Sequence, residues 1–260
     1  MSDTAKRLHS VNFGNKNTWD DWGLIPIKRP VIVFPPVKDK TLDVPGADGE
    51  IDITDTLVGY PLYSNRKDSL QFRFIDNPDR QSAIKRRNKI ASYLHGKKMN
   101  LILDEEPEYY YTGRFQLQGM EYKGKGDWAD VEIAYNLEPY KYSIVSSLED
   151  WLWDPFSFED GVIMPSIFKD ISIPNTNAWQ YINGLNDIVG DMAVSPTVTA
   201  SGDVQIRLYD SVSSAWGTIF TFNASTSENS DFVITYRHTR LAMRSTSNVT
   251  VSIDFRGGRL

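Results

Sequence analysis

Four acids crowd one short stretch of this chain: Asp43, Asp48, Glu50 and Asp52 all lie between Lys40 and Thr54. Closely spaced carboxylates are what a hard cation such as calcium requires. An EF-type loop, however, sets acids at alternate positions before a glycine and ends on a glutamate, and Asp48-Gly49-Glu50 meets neither condition. A solvated hairpin face is expected instead of a metal site. A second acidic group, Asp104-Glu105-Glu106-Pro107-Glu108, offers neighbouring carboxylates of the kind a glycosidase uses in pairs. Glycoside hydrolysis needs its two carboxyls held apart across a cleft with one of them buried, whereas consecutive acids at a turn should be fully hydrated.

Lys85-Arg86-Arg87 and Lys89 form the opposite cluster, and clustered positive charge releases counterions from nucleic-acid phosphates. No aromatic platform interleaves it, so a solvated or inter-subunit face is expected and no nucleic-acid contact. The three histidines, His9, His95 and His238, are far apart in sequence, and there is no cysteine. Without a thiol, a Gly-x-Ser-x-Gly elbow, a phosphate loop or a dinucleotide fingerprint, no catalytic residue, cofactor or metal is expected. Trp179, Tyr181 and Trp216 are the residues able to stack on sugar rings. Large aromatics dominate the cores of β-sandwiches, so burial in a core is the expectation for them and glycan stacking the alternative.

The elements that would position these groups follow from periodicity. In the stretch from Lys40 to Thr54, Leu42 and Val44 enter a double turn and Ile51 and Ile53 leave it, alternating with polar neighbours. That is the period of a hairpin with one buried face. Pro45 presets the first inner turn position, Gly46 tolerates the positive φ that comes next, and Asp48-Gly49 supplies a second tight turn. Ahead of it, Val11 to Gly14 and Trp22 to Ile25 read as strand ends around Asn15-Lys16-Asn17-Thr18, and Pro26, Pro30, Pro35 and Pro36 keep the chain extended, as on edge strands. Beyond it, Ser69 to Ile75 alternates. Asn77-Pro78 then predicts a helix start with the proline at the first helical position, Ala83, Ile84, Ile90, Ala91 and Leu94 make an apolar stripe, and Gly96 is the stop.

Met99 to Asp104 and Tyr109 to Leu117 read as paired strands, and Lys123 to Asp127 as a turn. Ala129, Val131, Ile133, Tyr135 and Leu137 then face one way and Asp130, Glu132, Asn136 and Glu138 the other, the clearest strand in the chain. After that the composition changes. Residues 1–145 hold 21 Lys+Arg and 21 Asp+Glu, whereas residues 146–260 hold 7 and 13, so the whole net charge of −6 falls in the second part. Ser+Thr rises from 13 to 26 across the same point, and Lys169 is the one lysine beyond it. Two domains are therefore expected, 1–146 and 147–260. The second shows short strands at Asp203–Leu208, Asp231–Tyr236 and Val249–Phe255 between Gly, Asn and Ser turns, the signature of a β-sandwich. Trp151 and Trp153, near the boundary, are expected to seat a domain–domain contact. The apolar runs are too short for a membrane span and no apolar segment follows Lys6 and Arg7, so a soluble chain without a Sec-type leader is expected.

Several segments of the first 145 residues together resemble the distal tail proteins, often called Dit, of long non-contractile-tailed bacteriophages and related prophages. They are Trp22-Gly23-Leu24, the Val44-to-Asp52 hairpin, the helix running into Ser92-Tyr93-Leu94-His95-Gly96-Lys97, Asp104 to Arg114, and the strand ending in Glu138-Pro139-Tyr140. The second half matches by architecture rather than by motif. The resemblance implies a mainly β protein: an N-terminal β-rich belt domain with one helix, six copies of which close into a ring, and a galectin-like or carbohydrate-module-like β-sandwich projecting outward. It further implies a structural hub at the virion tail tip, made in the cytoplasm of the bacterial host. The hub would meet the tail tube protein on one face, the tail-associated lysin or fibre hub on the other, and a receptor-binding protein at its rim. A host-glycan-binding module is the second reading and a glycan hydrolase the third.

Overall fold

The computed structural model describes residues 9–46, 48–54, 61–76, 78–122, 129–148, 168–185, 190 and 192–260, with backbone alone for 120–122. The expected turn at Lys123 to Asp127 and the contact expected of Trp151 and Trp153 lie outside the described residues. The chain divides into two units between Lys141 and Tyr142.

In the first unit the strands are β1 (Val11–Phe13), β2 (Lys16–Asn17), β3 (Leu24–Pro26), β4 (Thr41–Asp43), β5 (Glu50–Asp52) and β6 (Arg66–Phe74), followed by helix α1 (Arg80–Leu94), β7 (Lys98–Leu103), β8 (Tyr109–Tyr122) and β9 (Ala129–Ser143). The main sheet runs β2-β1-β7-β8-β9-β6-β3, which puts Pro26 on an edge strand, where its missing N–H breaks no ladder bond. β9 shows why the sheet forms. Ala129, Val131, Ile133, Tyr135 and Leu137 are at most 4% exposed while the residues between them face out, so one strand lays five apolar side chains onto a single core. Phe13, Phe72, Phe74 and Phe115 are fully buried in that core, and the Phe13 ring packs edge-on to Phe115 at 5.0 Å between centroids.

Helix α1 starts later than its proline suggests. Asp79, not the residue before Pro78, is the cap: its carboxylate accepts from the N–H groups of Gln81 and Ser82 at 2.9 and 3.1 Å, and Arg80 is the first helical residue. The hydrogen bond from the Ser82 hydroxyl and those backbone N–H groups hold the Asp79 carboxyl below the usual carboxylate range. At the other end Gly96 takes φ +75°, the left-handed residue that closes a helix. Ala83, Ile90 and Leu94 are buried on the core side, whereas Ile84, one residue round the helix, is 37% exposed and drops out of the expected stripe. Tyr93 ties the helix to β1 by donating to the Phe13 carbonyl at 3.0 Å.

The second unit contains β10 (Ile171–Ile173), β11 (Gln180–Asn183), β12 (Thr197–Ala200), β13 (Val204–Asp210), β14 (Ala215–Trp216), β15 (Phe220–Phe222), β16 (Ser225–Glu228), β17 (His238–Arg244) and β18 (Val249–Asp254). One sheet runs β10-β18-β12-β16 and the other β11-β17-β13-β14 with β15 also on β13. Val198, Val251 and Ile253 from the first and Ile206, Leu208, Leu241 and Met243 from the second enter one buried cluster, which makes the unit a β-sandwich. The strand expected at Asp231–Tyr236 does not form. Ile234 makes only an isolated bridge to Val194, and the strand proper, β17, begins at His238. Phe232 and Ile234 are fully buried, so the apolar alternation there is that of a core-packed loop.

Candidate functional site

The acidic hairpin exists, in the register Thr41↔Asp52, Leu42↔Ile51 and Asp43↔Glu50. Gly46 and Gly49 hold φ +86° and +79° in the turn after Pro45, with Asp48 between them. Its expected buried face is absent. Leu42 is 52% and Ile51 54% exposed, because among the described residues β4 and β5 pair only with each other and no other layer covers them. The hairpin is therefore an outlying arm rather than the centre of the unit. One of its acids serves locally: Asp52 accepts from the Thr54 N–H at 2.9 Å. Among the described residues no group of three His, Cys, Asp or Glu side chains gathers as metal ligands would.

This placement changes what the turn glycines are worth. A Cβ on Gly46 would meet nothing within 4 Å, so Gly46→Val costs backbone strain alone, about 1–3 kcal/mol. We expect that cost to melt the arm locally. Amide exchange at β4 and β5 should accelerate while the melting temperature of the whole chain stays nearly unchanged. Asp48→Asn and EDTA should alter neither reading.

Exposed apolar side chains continue beside the arm in sequence: Phe34 is 78%, Val31 64% and Val37 47% exposed. The extended segment that carries them is anchored from beneath. Arg66, only 1% exposed, donates to the carbonyls of Pro139 at 2.8 Å and Val33 at 3.1 Å, and the Tyr135 hydroxyl receives the Val33 N–H at 3.3 Å. A fully buried arginine at the head of β6 had no signal in the alternation from Ser69 onward.

The acidic tip is not wholly left to water as expected, since three of its four acids have side-chain partners while Glu108 is exposed. Asp104 accepts from the Ser10 hydroxyl at 2.5 Å, Glu105 pairs with His9 and with Arg29 at 2.5 Å, and Glu106 accepts from Tyr111 at 2.9 Å and Lys141 at 3.1 Å. Burial works to raise the Glu105 carboxyl, but Arg29 and His9 hold it below its ordinary value. An acid kept ionised and occupied is the opposite of a glycosidase's protonated donor. In the basic cluster, Arg86 forks onto Asp76 at 2.7 and 2.8 Å and lies over the Phe74 ring, so part of its charge is used within the unit. The remaining histidines are occupied too: His95 Nδ1 accepts from the Leu117 N–H at 3.1 Å and His238 Nδ1 from the Thr235 N–H at 2.9 Å.

Trp179, Tyr181 and Trp216 do come together, outside the core expected for them. Ile206, Leu208, Leu241 and Met243 fill the inner face of the β11-β17-β13-β14 sheet, so the alternate residues of those strands stand on its outer face. Tyr181 stands opposite Ala242 and Trp216 opposite Tyr209, and the Trp216 ring lies 5.4 Å from Tyr181 and 5.2 Å from Tyr209 between centroids. Arginines interleave them. The Arg207 guanidinium lies 3.9 Å from the Trp179 centroid and 4.5 Å from that of Trp216, Arg244 lies 4.5 Å from Trp179, and Arg240 lies 4.0 Å from Tyr209. Cation–π attraction at these separations holds the rings and guanidinium groups in one cluster, in which Trp216 is tilted 46° to Tyr181 and 65° to Tyr209.

Curled antiparallel sheet with one helix in the first unit and a β-sandwich in the second make up a Dit-like fold. The crystal structure of the Dit protein of SPP1 (gp 19.1), described as a paradigm of the hub adsorption apparatus in Gram-positive-infecting phages, matches it over 97% of this chain and 100% of that chain, with a TM-score of 0.58 and 13% sequence identity. The likeness is one of fold. No protein-family model matches the chain, and no curated protein matches it in sequence.

Proposed function

We propose that this chain is a structural hub of a phage tail tip, assembling through its first unit into a closed ring that joins the tail tube to the fibre or lysin hub and to a receptor-binding assembly. The likeness of fold along the whole chain to a protein of a phage adsorption apparatus carries this reading. The first unit adds support. Phe34, Val31, Leu42 and Ile51, each more than half exposed, give it more outward apolar surface than an isolated unit needs, and the outlying β4-β5 arm reaches beyond the sheet. One patch meeting a different patch on the next copy is the heterologous contact from which rings are built. The role is one of connection and needs no chemistry. The place of action is the virion tail tip, after synthesis in the bacterial cytoplasm.

Native mass spectrometry of the full chain tests it. The expected particle has six times the 29.6 kDa chain mass. Phe34→Glu, at a position 78% exposed, should leave the fold intact and shift the population to smaller species. A monomer at high protein concentration, with Phe34→Glu indistinguishable from it, would overturn the ring.

A further inference from the structure

The second unit is acidic, yet its positive charge is concentrated. Three of the seven Lys+Arg in residues 146–260, Arg207, Arg240 and Arg244, stand on the outer face of one sheet, among the rings described above. Acids do not neutralise them. Among the described residues none of the three is in an ion pair, and Asp210, at the end of the same strand as Arg207, is taken by Arg237 at 2.9 Å. Among the described residues Arg244 donates only to the amide oxygen of Gln205, at 2.8 Å. The Arg207 Nε is buried with no hydrogen-bond partner. Among the described residues nothing offers this donor an acceptor, and leaving it unmatched is costly.

The geometry sets what that acceptor should be. A guanidinium held over a ring presents the N–H groups not already bonded or buried in the planar fork that matches a carboxylate or phosphate. Stacking has also removed part of the side-chain freedom that binding would otherwise have to freeze. Between the forks, Tyr181 is 56% exposed and presents a ring face suited to the C–H side of a pyranose. Continuous polyphosphate is a poor fit, because a nucleic acid would meet three cations on a unit of net charge −6. Neutral sugars separating isolated anionic groups suit both the alternation of ring and fork and the acidic surroundings.

We propose that the outer face of the β11-β17-β13-β14 sheet binds an anionic polysaccharide, with a sugar ring on Tyr181 and its carboxylate or phosphate groups on the accessible N–H groups of Arg207 and Arg240. This site does not depend on the ring: glycan binding and native mass are separate readings, so either can fail without the other.

The test is calorimetric titration of the full chain with four probes: oligogalacturonate, glycosylated poly(glycerol phosphate), a neutral dextran of equal length and a single-stranded oligonucleotide. One or both acidic glycans should bind, and which of them binds identifies carboxylate or phosphate as the anion. Dextran and the oligonucleotide should bind at least about tenfold more weakly, the loss expected for a charge-assisted hydrogen bond. Arg240→Gln should weaken the acidic glycan about tenfold, and raised salt should weaken it further. Tyr181→Ser, at a mostly exposed ring, should reduce affinity several-fold at an unchanged melting temperature, which keeps the test decisive where an arginine variant fails to fold. No binding by either acidic glycan, equal binding of dextran or oligonucleotide, or affinities indifferent to both substitutions would each overturn the proposal.

Discussion

Arg66→Ala is expected to destabilise the first unit by about 4 kcal/mol, because it strands two carbonyls in the interior and empties a buried volume at once. Arg66 is 1% exposed, and its guanidinium bridges Val33 and Pro139, as no other side chain among the described residues does, and lies 5.4 Å from the Tyr111 centroid. Burial pushes its pKa down, but an arginine stays charged, so its donors cannot be neutralised by losing a proton. Arg66→Lys should recover less than half of the loss, since one ammonium cannot fork to two carbonyls in different segments. Scanning calorimetry should show the first transition lowered by roughly 10 °C in the alanine variant. The segment around Val33 should exchange its amides faster. A transition within a degree of the parent would mean the carbonyls find other donors.

A comparable loss is expected at Gly113, for a different reason. A Cβ there would sit 2.3 Å from the Asn136 carbonyl oxygen and 2.6 Å from the Leu137 Cα, so β9 backbone occupies the space. Backbone cannot rotate aside as a side-chain tip can. Gly113→Ala should therefore cost about 3 kcal/mol through overpacking, and Gly113→Val should prevent the first unit from folding. Gly119, on the same strand, is the control: a Cβ there meets nothing within 4 Å, and Gly119→Ala should be neutral or slightly stabilising. Equal melting temperatures for Gly113→Ala and Gly119→Ala would contradict the close approach of β8 and β9.

How far the sequence reading reached depends on the range of the interaction involved. Alternation in β9, the Gly96 stop of α1 and the glycine turn of the hairpin are set within a few residues by pleat, capping and φ, and each was legible. Even there, the start of α1 turned on whether a side chain or a proline ring makes the better terminus, and the Asp79 carboxylate won. The Dit-like architecture was legible because several such local signals occur in one order.

The chain by itself determined its most regular elements, such as β9 and the body of α1, and that its net negative charge lies in the second part. Only the tertiary structure decided what covers each face. Period-2 apolarity in Leu42 and Ile51 is the same whether a second layer arrives or not, and among the described residues none does. The rings at 179, 181 and 216 left the core because smaller aliphatic residues already filled the inner face of their sheet. Arg66 went inside because two carbonyls from distant segments meet at its position, and Gly113 must lack a side chain because another strand passes there. Burial is a property of pairs of segments far apart in sequence, and no local period encodes the partner.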